Sequence, residues 1–344
     1  MGSKMQSGLR ENLLNVLAGK EEGLIPVLSV TQTATNGLME TTGAFWPQAH
    51  SSAFQMAELS LAAHTIGGLE AIRYPFCLTV LAEAAGCEID LGTINKPPEV
   101  ISHPFAEKVG KPDIPADFYN RARVPVVLEA TNRLKDLAPN VPLIAGMEGP
   151  ATLVYHLIGG QNYLKWALFK PDIFRMYIRE ATCICEGYAE LLFEAGADVI
   201  CLNDTVAGPE TLECLLFETL IKPSYQHLTH SIEGPVVMHM CGNTTSILSS
   251  LANCGFEGIS IEESVSVAEA KSQIGSRTIL IGNISTTNTL LYSTPEEVEE
   301  EAFKCLEEGV DILAPGCGLA PETPVVNIRA MEQARDKYLN KFAE

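Results

Sequence analysis

Eight short apolar runs, rich in β-branched residues and separated by stretches of helical character, constrain this chain more than any other feature. They fall at residues 25–30, 69–74, 141–147, 198–203, 235–240, 257–262, 278–283 and 310–315. They read as near-continuous apolar runs and not as a regular alternation of apolar and polar residues. Strands of a parallel sheet covered on both faces read this way. Helical patterns lie between them at 52–66, 117–137, 172–195, 209–230, 245–254 and 295–308. Thr294-Pro295-Glu296-Glu297 opens the last of these with a capping residue, a proline suited to the first turn and a glutamate that completes a capping box.

Eight strand–helix units predict a (β/α)8 TIM barrel, with an N-terminal helical extension and an irregular, Pro- and Gly-rich insertion near residues 75–118. The insertion is expected on the active-site face. A doubly wound open sheet is the alternative, but no G-x-G-x-x-G follows the first run, which disfavours a dinucleotide site. No low-complexity or charged linker divides the chain, so residues 1–344 are expected to form one domain.

Forty-six per cent of the 344 residues are hydrophobic, enough for a large core, and disorder is excluded. The 43 acidic side chains outnumber 23 basic ones, for a net charge of −20. That balance excludes wrapping a nucleic acid, which needs clustered Lys and Arg, and disfavours an anionic membrane surface. No apolar run reaches the ~18 residues of a bilayer span. Met1-Gly2-Ser3-Lys4 reads as a cloning scar, and Gln6 stands where a myristoylation signal needs Ser or Thr. The ten cysteines form no CxxC pair and no secretory pattern precedes them, so a reducing cytoplasm is expected.

The sharpest chemical motif is Val237-Met238-His239-Met240-Cys241-Gly242-Asn243. His239 and Cys241 are two residues apart at the C-terminal end of the fifth run, so they point to one side. That end of a barrel strand is where barrel enzymes carry their chemistry. The loop Ala314-Pro315-Gly316-Cys317-Gly318-Leu319 brings Cys317 to the same rim after the eighth run. One imidazole and two thiols suit Zn²⁺, and three protein ligands leave a fourth position open, as in catalytic zinc sites. The competing explanation is a core histidine and packed thiols. The glycines beside both cysteines favour the metal.

Gly149-Pro150-Ala151-Thr152-Leu153, Gly282-Asn283-Ile284-Ser285, and Pro315-Gly316-Cys317-Gly318 followed by Pro321-Glu322-Thr323-Pro324 and Asn327-Ile328 resemble the uroporphyrinogen decarboxylase superfamily. The similarity runs from about residue 9 to 340. Within it, His239-x-Cys241 with Cys317 resembles the zinc motif of the methylcobalamin:coenzyme M methyltransferases of methanogenic archaea. Gly146-Met147-Glu148-Gly149-Pro150 points to the same branch. Decarboxylation itself fits poorly. It requires an Arg-rich N-terminal segment to hold a polycarboxylate, and residues 21–50 contain no Arg.

The resemblance implies a cytoplasmic enzyme of methanogenesis, with Zn²⁺ held by His239, Cys241 and Cys317. It would transfer a methyl group from methylcobalamin on a corrinoid partner protein to the thiol of coenzyme M. The carrier signature D-x-H-x-x-G is absent, so the corrinoid must arrive on that partner. Of Glu262 and Glu263, at most one can reach the metal, and Glu263 is favoured as a displaceable fourth ligand; otherwise both are solvated or cap the next helix. Glu148, Asn203 and Asn283 are candidate substrate-rim residues. Trp46, Tyr155 and Tyr163, and the histidines other than His239, are expected in core, wall or surface. The alternatives are a metal-free, decarboxylase-like lyase and a corrinoid-binding barrel without catalysis. The methyl source, the sulfonate-binding residues and the oligomeric state stay open.

Overall fold

The computed structural model describes residues 8–20 and 23–341. The cloning-scar and myristoylation readings of residues 1–6 lie outside them. At the centre, β1 (Ile72–Tyr74), β4 (Leu143–Glu148), β5 (Val199–Asn203), β6 (Val236–His239), β7 (Gly258–Ser260), β8 (Ile279–Ile284) and β9 (Ile312–Pro315) form a parallel sheet in that order. The insertion carries a small antiparallel pair, β2 (Ile89–Asp90) and β3 (Glu99–Val100).

The first apolar run closes the ring between β9 and β1. The Leu28 amide donates to the Leu313 carbonyl (3.1 Å), the Leu313 amide to the Pro26 carbonyl (2.9 Å), and the Glu70 amide to the Val27 carbonyl (2.8 Å). It pairs as a single bridge, Val27 to Leu313, and not as a full strand. Pro26 has no N–H to give, and the Val27 amide donates to the Glu70 carboxylate (2.8 Å). All eight expected runs thus become staves of a TIM-barrel-like fold.

Alternation along the staves divides two cores. Val199 and Cys201, Ile279 and Ile281, and Ile312 and Ala314 point into the barrel lumen, where Leu13 and Leu17 of helix Leu9–Leu17 plug one end. The intervening residues, such as Ile200, Met238 and Leu280, pack outward against the helices. This two-sided burial is why the staves read as continuous apolar runs.

The helices follow expectation with instructive departures. Pro295–Glu308 starts with the anticipated capping box: the Glu297 amide donates to the Thr294 hydroxyl, and the Thr294 amide to the Glu297 carboxylate (2.8 Å). Ser52 caps Ala53–Thr65. The helix expected over 117–137 is interrupted around Ala122, whose φ is +49°, and resumes at Val124–Leu137 with Pro125 in its first turn. The one expected over 209–230 starts only at Cys214 and passes through a π-helical turn, Phe217–Ile221, before Lys222–Ser231. Pro223 has no N–H to continue the α ladder there. The helices Pro150–Ile158, Gly160–Phe169, Val267–Ile274 and Val325–Lys341 were not anticipated. None of the helices described is long and apolar enough to cross a membrane.

Candidate metal centre

β6 ends at His239, and the chain continues through Met240 to Cys241. The loop after β9 brings Cys317 across to them. His239 Nε2 lies 3.6 Å from both Cys241 Sγ and Cys317 Sγ, and the two sulfurs are 3.9 Å apart. A disulfide requires about 2.05 Å, so this pair is not one. The distances match the edges of a tetrahedron instead. With ordinary Zn–S and Zn–N bonds of about 2.3 and 2.05 Å, such edges are about 3.8 Å between sulfurs and about 3.6 Å between sulfur and nitrogen. The donors therefore fit a tetrahedral divalent metal of the zinc class.

A carboxylate completes the group. One donor atom from each of His239, Cys241, Glu262 and Cys317 lies within 4.8 Å of all the others. This corrects the choice of Glu263 over Glu262. Ser260 at the end of β7 meets His239, and the period of two sends Glu262 toward the same side and Glu263 away from it. Glu263 instead accepts from the Ser285 hydroxyl (3.0 Å).

Local sequence explains how the loops converge. A side chain at Gly316 would run into Glu263 and the backbone at Glu262, so glycine lets the Cys317 loop press against the β7 loop. Gly242 has a φ of +78°, and a side chain there would strike the Glu210 carboxylate. That carboxylate accepts from the Asn243 amide (3.1 Å). These glycines admit neighbouring protein rather than ligand.

The electrostatics of the two thiols are shared. A hydrogen bond from Cys241, helped against burial by His239, holds Cys317 well below the ordinary thiol value. The same bond to Cys317, followed by burial and the Cys317 charge, pushes Cys241 up. One proton thus leaves the pair readily and the second is retained. Burial, then the Cys317 charge, raises Glu262.

His239 is oriented by Ser260, whose hydroxyl oxygen lies 3.1 Å from Nδ1. This leaves Nε2 toward the thiols. Glu148, Asn203 and Asn283 do not do this work. Glu148 accepts from the Leu81 and Ala82 amides (2.8 and 3.2 Å), holding helix Val80–Ala84. The Asn283 amide donates to the carbonyls of Glu262 (3.0 Å) and Val265 (2.8 Å), so it fixes the β7 loop. Asn203 alone of the three lines the cavity in front of the thiols, with its amide donating to the Cys201 carbonyl (3.0 Å).

That cavity measures about 270 Å³ and is walled by His239, Cys241, Cys317, Arg73, Asn203 and the insertion residues 76–78 and 97–98. The insertion therefore lies on the expected face. Two wall residues were not anticipated. Arg73 is buried in β1. Cys77 receives hydrogen bonds from Arg123 (3.2 Å) and Thr79 (3.4 Å), and His50 faces it. Burial works against its thiolate, but Arg123, His50 and Thr79 outweigh it and bring the pKa down to about 6. A lone arginine in an apolar strand was the available signal for the first. Trp46 is buried against His50 (ring centroids 4.8 Å apart), and Tyr163 is buried in the core.

The family model for uroporphyrinogen decarboxylase (URO-D) matches residues 9–338. The chain is 44% identical to the methylcobamide:CoM methyltransferase MtaA of Methanosarcina barkeri, over 96% of this chain and 98% of that protein. It is 33% identical to the methylcobamide:CoM methyltransferase MtbA of Methanosarcina acetivorans, over 96% and 98%. A solved methyltransferase from Methanosarcina mazei superposes with a TM-score of 0.94 at 43% identity, covering 96% of this chain and 99% of that one.

Proposed function

Since the chain belongs to the uroporphyrinogen decarboxylase family and is a methyltransferase within it, we propose that it moves a methyl group from a methylated corrinoid to the thiol of coenzyme M, using Zn²⁺. The observation that carries this is the donor set: an imidazole and two thiols spaced as tetrahedral edges, opening on a cavity of about 270 Å³. Such a space admits a two-carbon thiol. A corrin macrocycle is far larger and must present its methyl group at the mouth. We therefore read the corrinoid as arriving on a partner protein that docks on this rim, in the cytoplasm.

Bound Zn²⁺ would supply a thiol held as thiolate at neutral pH. The rest falls to the protein. Ser260 fixes the His239 ring, and Asn283 fixes the loop that carries Glu262. Glu262 would be the fourth ligand of that metal, and an incoming thiol would replace it. The cavity wall would hold that thiol beside the donor set, and such positioning lowers the entropy cost of the transfer. The S–H proton is lost and an S–CH₃ bond forms as the cobalt–carbon bond breaks. The bonding pair stays on the corrinoid. His239 and Cys317 come from the fifth and eighth staves, so we take the whole barrel as one functional unit.

The test mixes the protein with methylcobalamin and coenzyme M and follows cob(I)alamin and the methylated thiol, with metal analysis of the same sample. About one zinc per chain and stoichiometric appearance of both products are expected. Zinc-loaded protein that releases no cob(I)alamin would refute the proposal.

A further inference from the structure

Three arginines are deeply buried, and two have carboxylate partners. Arg335 pairs with Glu70 (2.8 Å) and Arg123 with Glu83. Arg73, only 2% exposed, has no acidic partner among the described residues. Its Nε donates to the Val30 carbonyl (3.2 Å) and its Nη1 to the Pro75 carbonyl. Nη2 has no acceptor among the described residues; it lies over Gly146, where a Cβ would collide with it. The strand is thus built around the guanidinium, through a glycine that makes room for it. Burial opposes its charge, and the groups that support it are thiols: Cys201, Cys77 and Cys317.

A buried cation is costly unless its donors are met, and an arginine cannot shed its proton to escape the cost. The thiols of Cys77 and Cys317 support the charge without accepting a hydrogen bond from it, so the acceptor for Nη2 is to be sought in a ligand. Arg73 lines the same cavity as His239, Cys241 and Cys317. We propose that Arg73 is the receptor for the anionic end of the acceptor thiol, the sulfonate of coenzyme M, an inference that rests on the reaction proposed above. A guanidinium fork matches an oxyanion, and a buried pair escapes screening by salt. The thiol end then sits at the donor set and the sulfonate at β1, so the molecule is pinned at both ends. The same charge rejects thiols bearing an ammonium group and gives neutral thiols nothing to hold.

The experiment compares coenzyme M with 2-mercaptoethanol in the zinc-loaded wild-type, Arg73→Met and Arg73→Lys proteins. In Arg73→Met the preference in kcat/KM for coenzyme M should shrink by roughly 10- to 150-fold, as expected for a lost hydrogen bond between charged groups. Arg73→Lys should recover part of it. If both thiols slow in parallel, Arg73 acts on the donor set or the fold, and the proposal is overturned. Calorimetry on the wild-type protein gives a readout independent of turnover and of variant folding. Ethanesulfonate should bind and be displaced by coenzyme M, whereas neutral ethyl methyl sulfone should not bind. Absence of ethanesulfonate binding overturns the assignment. If wild-type protein methylates no thiol yet binds ethanesulfonate, the reaction proposal fails while the anion site stands.

Discussion

Arg335 and Arg73 are both buried, yet the protein meets their charges in different ways. Arg335, on helix Val325–Lys341, is gripped by both oxygens of Glu70 (3.1 and 2.8 Å), and its Nη1 also donates to the Ile25 carbonyl (2.6 Å). Glu70 in turn accepts the Val27 amide, so this pair ties the C-terminal helix to the stave that closes the ring. Arg73, on the next stave, donates to two carbonyls, lines the cavity and has no acceptor for Nη2 among the described residues. Full satisfaction marks a structural joint, and a deficit marks a place where a ligand is to be completed. The lumen repeats the lesson along its staves: Val237 packs in the apolar lumen, and His239, two residues on, turns its ring to the two thiols that could hold a metal.

The strongest way to break this contrast is to strip the donor set. Cys317→Ala should abolish bound zinc and methyl transfer together, measured by metal analysis and cob(I)alamin release. Retained metal with lost activity would separate the two and undo the assignment of Cys317 as a ligand. Glu70→Ala attacks the other end. It leaves buried Arg335 with only the half-exposed Asp336 carboxylate (2.7 Å) and the Ile25 carbonyl, and chemical denaturation should register a loss of up to about 3 kcal/mol. Zinc content should be unchanged. Metal loss in this variant, under conditions where it remains folded, would show that the two ends are coupled. A subtler probe is Ser260→Ala, which removes the group that orients the His239 ring. Zinc affinity should fall by roughly 10- to 100-fold in competition with a chelator. An unchanged affinity would mean that packing alone sets the ring.

The sequence carried the structural side of this contrast more clearly than the chemical side. Staves buried on both faces leave long apolar runs, so all eight were legible, as was the capping box at Thr294. His239 and Cys241 were legible because one strand fixes their relative direction. Cys317 was legible because its loop follows a strand in the same sense. Glu262 was not, because β7 ends at Ser260 and the choice between adjacent glutamates depends on which side Ser260 faces. Ser260 and Arg73 were hidden for a related reason: a serine or an arginine in a strand acquires its role from the neighbour across the lumen. The breaks in the helices, at Ala122 and before Pro223, depend on backbone detail that helical periodicity does not record.

Arg123 lies between the two extremes and allows the finest test. It has a carboxylate partner in Glu83, and it also donates to Cys77 on the cavity wall. The thiol's pKa is lowered to about 6 from an ordinary 9.0, so the thiolate form belongs to the folded state. The sign follows: a depressed value stabilises the fold above the ordinary pKa, and that contribution is lost as pH falls through about 6. Alkylation of Cys77, read by peptide mass spectrometry, should therefore rise through about pH 6 and be flat from pH 7 to 9. An ordinary cysteine would still be rising across that range. In Arg123→Met the rise should move to higher pH. A midpoint that stays near 6 in that variant would shift the cause to His50 and Thr79, and with it the view that a buried arginine here serves two partners at once.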